Sequence, residues 1–257
     1  MIALAALACG SPGPSPVAPS DAPPVAPPSA APPPDAPVSP GPDLVGVCDA
    51  SAAVAVGRFL VVADDEHNQL RVFDWSSGAA PAGVLDLAPF GLSGEADLEG
   101  MATTTDGVTW ITGSHDSGKG DTRKPERQVL LGVRLTATES GVTVERVAGP
   151  TADFIEKGRW TNPLMGIVEN TDRHPSKDPL GLSIEGLAAG PDGSLVFGFR
   201  APIHAGKALF ERLDDPTGLA AGGEPKITGP RWADLGGLGV RSVEVGGPPP
   251  PGTTQPE

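Results

Sequence analysis

Tyrosine is absent from the sequence, and cysteine and basic residues are scarce: two Cys, four His, and 18 Lys and Arg against 32 Asp and Glu. A net charge of −14 with no basic run argues against nucleic-acid binding, because affinity for a phosphate backbone rests on clustered cations that displace counterions. Two cysteines cannot build a disulfide framework, and no Cys-x-x-Cys offers a structural zinc site. No apolar run approaches the ~18 residues of a membrane-spanning helix. Membrane contact would therefore need an anchor, and the fold must be held by its own core.

What is abundant is proline, and it is unevenly placed. Residues 11–43 hold 14 of the 31, separated by Ala, Ser and Val. Such a segment buries too little apolar surface to offset its ordering entropy, so residues 10–43 are expected to be a disordered, partly extended linker. Residues 248–257 repeat that character as a disordered tail, which leaves residues 44–247 as one folded domain. The first nine residues, Met-Ile-Ala-Leu-Ala-Ala-Leu-Ala-Cys, are similar to the end of a bacterial lipoprotein signal without its charged leader, which makes Cys9 the candidate lipidation site. That implies a bacterial cell-envelope protein facing the periplasm or cell surface, in contact with the membrane through a lipid alone. Cys48 reads as a small buried residue.

Within the folded region, short β-branched runs at residues 58–65, 69–75, 108–115, 128–135, 142–148, 194–200 and 207–213 predict strands. Asp106-Gly107 and Asp192-Gly193 predict hairpins through primed turns. The class is mostly β. One pattern recurs at Asp49-Ala-Ser-Ala-Ala, Asp97-Leu-Glu-Gly-Met-Ala, Ser183-Ile-Glu-Gly-Leu-Ala and, incompletely, Arg241-Ser-Val-Glu. Glu99 and Glu185 are 86 residues apart, twice a period in the forties, which is the size of a four-stranded propeller blade. The sequence therefore predicts a partial β-propeller of about four to five blades, with a degenerate blade and an insertion around residues 151–179 filling the long gap.

Ser51, Glu99, Glu185 and Glu244 share one position of the repeat. In a propeller that position lines the axis, so the carboxylates should converge. Like charges so close need a cation or an arginine. Asp97, Glu99 and Glu185 are thus candidate calcium ligands, and with Glu244, Arg71, Arg127 and Arg241 they make a candidate ligand site. Arginine neutralisation through Arg71, Arg200 and Arg241 is the competing account. Asp64-Asp-Glu-His-Asn68 reads as a solvated turn. Gly113-Ser-His-Asp-Ser-Gly-Lys-Gly120 nearly spells a phosphate-binding loop but lacks the Ser or Thr and the helix that would follow, so it reads as a hairpin loop. Its His115 and Lys119, with Arg200, could hold an anion.

In order along the chain, Ala63-Asp-Asp-Glu-His-Asn-Gln-Leu-Arg-Val-Phe, Asp97-Leu-Glu-Gly, Thr112-Gly-Ser-His-Asp, Lys124-Pro-Glu-Arg, Ile184-Glu-Gly-Leu-Ala, Gly198-Phe-Arg-Ala-Pro and Gly239-Val-Arg-Ser-Val-Glu resemble the bacterial family catalogued as domain of unknown function 3616. The resemblance implies a propeller-like fold and no activity. Three functional readings stay open. One is an envelope-anchored protein binding a small-molecule or polymeric ligand at an acidic axial face. Another is a calcium-dependent, phytase-like phosphoester hydrolase using His115, Lys119 and Arg200. The last is a truncated, degenerate copy without activity.

Overall fold

The computed structural model describes residues 43–76, 80–117, 124–152, 174 and 178–245. Cys9, the proline-rich linker, the tail, Lys119 and most of the 151–179 insertion lie outside these residues. Twelve strands form three four-stranded antiparallel sheets, each a meander in chain order. The first holds β1 (Ala50–Val56), β2 (Phe59–Asp64), β3 (Gln69–Asp74) and β4 (Gly83–Asp86). The second holds β5 (Leu98–Thr103), β6 (Thr109–Gly113), β7 (Val129–Ala137) and β8 (Val142–Ala152). The third holds β9 (Ser183–Ala189), β10 (Leu195–His204), β11 (Lys207–Leu213) and β12 (Ile227–Asp234), with the one-turn helix α1 (Pro216–Ala220) between the last two. Seven of the twelve strands fall on the runs predicted from β-branched residues.

Alternation within the strands builds two apolar layers. Val61, Ala63, Leu70 and Val72 of the first sheet meet Leu98, Met101, Ile111, Leu131 and Val133 of the second. The opposite face of the second sheet, with Ala102, Trp110 and Leu130, meets Ile184, Leu187, Phe197, Leu209 and Leu213 of the third. A sheet covered on both faces can fill both with large side chains, and Trp110 is among the largest fully buried. The outer strands β8 and β12 carry Pro150 and Pro230, which lack an N–H and so blunt the exposed edges.

The first strand of each sheet is the innermost: β5 packs against β1 on one side and β9 on the other. This direct contact leaves no room for a degenerate blade between the sheets of Glu99 and Glu185. The excess of the 86-residue spacing lies instead in the segment after β8, and the described residues contain three sheets where the sequence predicts four to five. Both predicted hairpins form, with a different turn. Only Gly107 and Gly193 take positive φ, at 79° and 83°, and not the Asp before them. In each, the first loop residue bonds the last (Thr104 N–H to Val108 O, Gly190 N–H to Ser194 O), and the Asp carboxylate accepts a hydroxyl bond from Thr104 or Ser194. The longer loop needs one left-handed residue where a two-residue primed turn needs two. Cys48 is exposed instead of buried, because it precedes β1 and has no sheet to pack on.

Candidate functional site

Three carboxylates come together beside the inner strands: Asp65, from the turn after β2, with Asp97 and Glu99 from the start of β5. A ligand atom from each lies within 4.8 Å of the other two. Local structure holds each in place. The Asp65 N–H bonds Asp49 O at 3.1 Å, and Asn68 ties the turn to the chain entering β5, donating to Gly94 O at 2.6 Å and accepting from Ala96 N–H at 3.1 Å. Asp97 has φ 51°, a left-handed conformation unusual outside glycine. Its carboxylate accepts from Arg127 Nη1 at 2.9 Å, and the same guanidinium binds Asp116 and Glu95, each at 2.6 Å.

The electrostatics of this cluster follow from burial and like charge. Burial, with Glu185, Asp97 and Asp65 adding to it, pushes the Glu99 carboxyl up to about 9, against the hydrogen bond from Ser51. Asp65 is pushed up to about 6 by burial and by Asp49, Asp97 and Asp64. Its Oδ1 is buried and has no hydrogen-bond partner among the described residues. Asp97 is raised too, chiefly by burial, despite Ser114 and Arg127. The neighbouring carboxylates differ in having cations at hand. Asp64 is held below its usual range by His67 and Arg71 although burial opposes them, with Arg71 Nε and Nη2 at 3.1 and 3.0 Å.

Glu185 is neutralised as well. Arg200 Nη1 donates to its Oε1 at 2.9 Å, and Arg241 Nη1 donates to its Oε2. The carboxylate trio is therefore Asp65, Asp97 and Glu99, and Glu185 stands next to it in an arginine clamp. For Glu185 the competing arginine account describes what is found; for Asp65 and Glu99 no arginine is at hand among the described residues. Ser51, Glu99 and Glu185 do converge, linked by the Ser51 hydrogen bond to Glu99 and by the field of Glu185 on Glu99. Glu244 is exposed. The fourth copy of the repeat enters at Val240, whose N–H bonds Phe199 O at 2.9 Å, much as the Ile184 N–H bonds Ser114 O at 2.8 Å in the copy before. That backbone register brings Arg241 to Glu185 and carries Glu244 past it.

Of the anion-binding candidates, Arg200 is engaged with Glu185. His115 is 3 % exposed, and burial drives it down to about 3, so it is neutral at physiological pH. It sits at φ 59° in a stretch, Ser114 to Ser117, whose four polar residues are all buried. The hairpin-loop expectation for this stretch therefore gives way to a packed polar segment fixed by Arg127. Asp65 escaped the sequence reading because it lies outside the repeat position and in a turn that looked solvated. Asn68, a turn residue with no solvating role, was the available signal.

No curated protein matches the sequence. Among solved structures, a crystal structure of Sqt1 from Chaetomium thermophilum is similar at 13% identity over 75% of this chain and 37% of that one, with a TM-score of 0.37. The β-propeller domain of Cps50 (Swd1) from Myceliophteria thermophila is similar at 7% identity over 66% of this chain and 54% of that one, TM-score 0.28. Apo AztD from Citrobacter koseri is similar at 11% identity over 68% and 58%, TM-score 0.24. The chain thus spans between 37% and 58% of the length of these structures. The span that supplies Asp65, Asp97, Glu99 and Arg127 is also the span with a family match: residues 49–140 match the family described as "Protein of unknown function (DUF3616)", and the chain carries a DUF3616 domain there.

Proposed function

We propose that the chain is a partial β-propeller that binds a cationic ligand at its inner acidic face, with a hard divalent cation such as calcium held by Asp65, Asp97 and Glu99. One observation carries this reading. Asp64 and Glu185 each have arginine partners, whereas Asp65 and Glu99 have no cation partner among the described residues and leave Asp65 Oδ1 unbonded. Three convergent carboxylates suit an oxygen-seeking divalent ion, which would lower the cost of their mutual repulsion. No residue is assigned chemistry. Calorimetric titration of the chelator-treated 257-residue protein with calcium is expected to show one site, weakened at least about tenfold in Asp65→Asn and in Glu99→Gln. A wild-type protein that takes up neither calcium nor magnesium would remove the reading. Hydrolysis of a generic phosphoester by the calcium-loaded protein, lost with chelator, would replace it by the hydrolase.

The same reading places the domain at the bacterial envelope, tethered through Cys9 and the proline-rich segment that follows it. Among the described residues no helix is long and apolar enough to cross a membrane. Expressed with its native upstream region in a bacterial host, the protein is expected to incorporate radiolabelled fatty acid, and Cys9→Ser to abolish the label. Equal labelling of the two would place the attachment elsewhere.

A further inference from the structure

The inner strands follow one another in a single sense, and each lies on the one before it. Gly100 of β5 receives Leu187 of β9 so closely that a Cβ there would stand 2.6 Å from the leucine Cβ. Gly186 of β9 receives Val243 in the same way, with 2.7 Å to the valine side chain and 2.9 Å to its nitrogen. Residues 239–243 therefore occupy the start of a fourth inner strand. β5 and β9 are covered on both flanks, and most of their residues are buried. β1 is covered by β5, and no comparable partner lies on its other flank among the described elements. Its Ala50 and Ala55 are exposed and the rest of the strand is only half-buried. Val62 and Phe73 on the same face of the first sheet are already buried, so the open part is β1 together with Val84.

The opposite end of the series is open too. Ser242 and Glu244 are exposed, Val245 is 61% exposed and Leu238 47%. The two ends differ in charge. Asp49 and Asp65 lie beside β1, and the field of Asp49 and Asp64 on Asp65 marks a concentration of negative charge there. At the far end stands Arg241, engaged with Glu185 yet with 53% of its side chain exposed. Along the inner position the residues run Ser51, Glu99, Glu185, Arg241, so the end that lacks a carboxylate partner and the end that offers a cation are different surfaces of one molecule.

We infer that a second copy of this chain seats its β1 on residues 239–245 of the first, head to tail, with Arg241 turned toward Asp49 and Asp65 of that copy. The contact continues the packing of β5 on β1 and of β9 on β5. Because it joins two different surfaces, it is heterologous, and repetition closes a ring or extends a fibre. It does not rest on the cation reading, since either surface could be present without a metal.

Sedimentation of the full 257-residue chain over a range of concentrations is expected to show concentration-dependent association. Arg241→Glu should weaken it about tenfold, as like charge replaces attraction. Ala55→Arg, on the other surface and away from the Glu185 clamp, should weaken it as well. Oxidation of the Cys9→Ser, Ser242→Cys protein should join Cys48 of one copy to the new thiol of the next, giving a ladder of multimers. The exposed control Glu224→Cys should give none. A chain that remains monomeric at every concentration, linkage through Cys48 alone, or equal linkage in the control would overturn the head-to-tail contact.

Discussion

Replacing Gly113 by alanine is expected to destabilise the domain by about 3 kcal/mol, the upper end of what an overpacked position costs. Gly113 closes β6 where the chain turns into the buried Ser114 to Ser117 stretch. A Cβ there would press on the carbonyl oxygens of both Arg127 and Ala96, and neither can swing aside as a flexible side chain would. The Arg127 carbonyl accepts the His115 N–H, and Ala96 is held by Asn68. The strain would thus reach both the second sheet and the segment that carries Asp97. Gly83 of β4 is the control, since a Cβ there meets nothing within 4 Å and its φ is not positive. Urea denaturation should separate the two: Gly83→Ala close to wild type, Gly113→Ala strongly shifted. Similar midpoints would mean that the backbone at Gly113 yields.

The second large effect is a dependence on pH located at Glu211. This residue lies on β11 between Leu209 and Leu213, on the face that enters the apolar layer between the second and third sheets, and is 7% exposed. Burial pushes its carboxyl from an ordinary 4.5 up to about 7. The folded protein therefore holds this proton over a range in which the unfolded chain has lost it. The resulting stabilisation is complete below pH 4.5 and is lost as pH rises through 7, with a total of about 3 kcal/mol. Glu211→Gln keeps the shape and removes the titration. Measured against wild type by urea denaturation at pH 4.5 and at pH 8, the variant should gain roughly that amount on going to the higher pH. A difference between the two proteins that stays the same at both pH values would show that Glu211 ionises as readily folded as unfolded.

The seven strands legible in the sequence share a local cause: runs such as Phe59-Leu-Val-Val-Ala and Leu130-Leu-Gly-Val present β-branched and large apolar residues that suit a pleated, buried surface whatever lies opposite. β5 and β9 lack that property. Leu-Glu-Gly-Met-Ala-Thr and Ser-Ile-Glu-Gly-Leu-Ala-Ala are rich in Gly, Ala and Glu, which disfavour strands taken alone. They are strands because they are innermost, where another inner strand must approach within the radius of a side chain and only glycine admits Leu187 or Val243. The motif could be recognised as a repeat without its structure being readable from propensity.

The site divides along the same line. That Ser51, Glu99 and Glu185 would meet follows from a period, and a period is written in the sequence. Which carboxylates keep unbalanced charge is decided by elements distant in the chain. Arg241 reaches Glu185 from 56 positions away because the Val240 hydrogen bond to Phe199 sets the register of the fourth copy. Asp65 reaches Glu99 because Asn68 fastens one turn to the strand that follows in the next sheet. The sequence by itself determined the class, the repeat and one carboxylate of the trio's inner position, since these depend on near neighbours and spacing. Only the tertiary structure decided the pairing of charges, because an ion pair is fixed by distance in space, and that distance is set by how whole sheets stack.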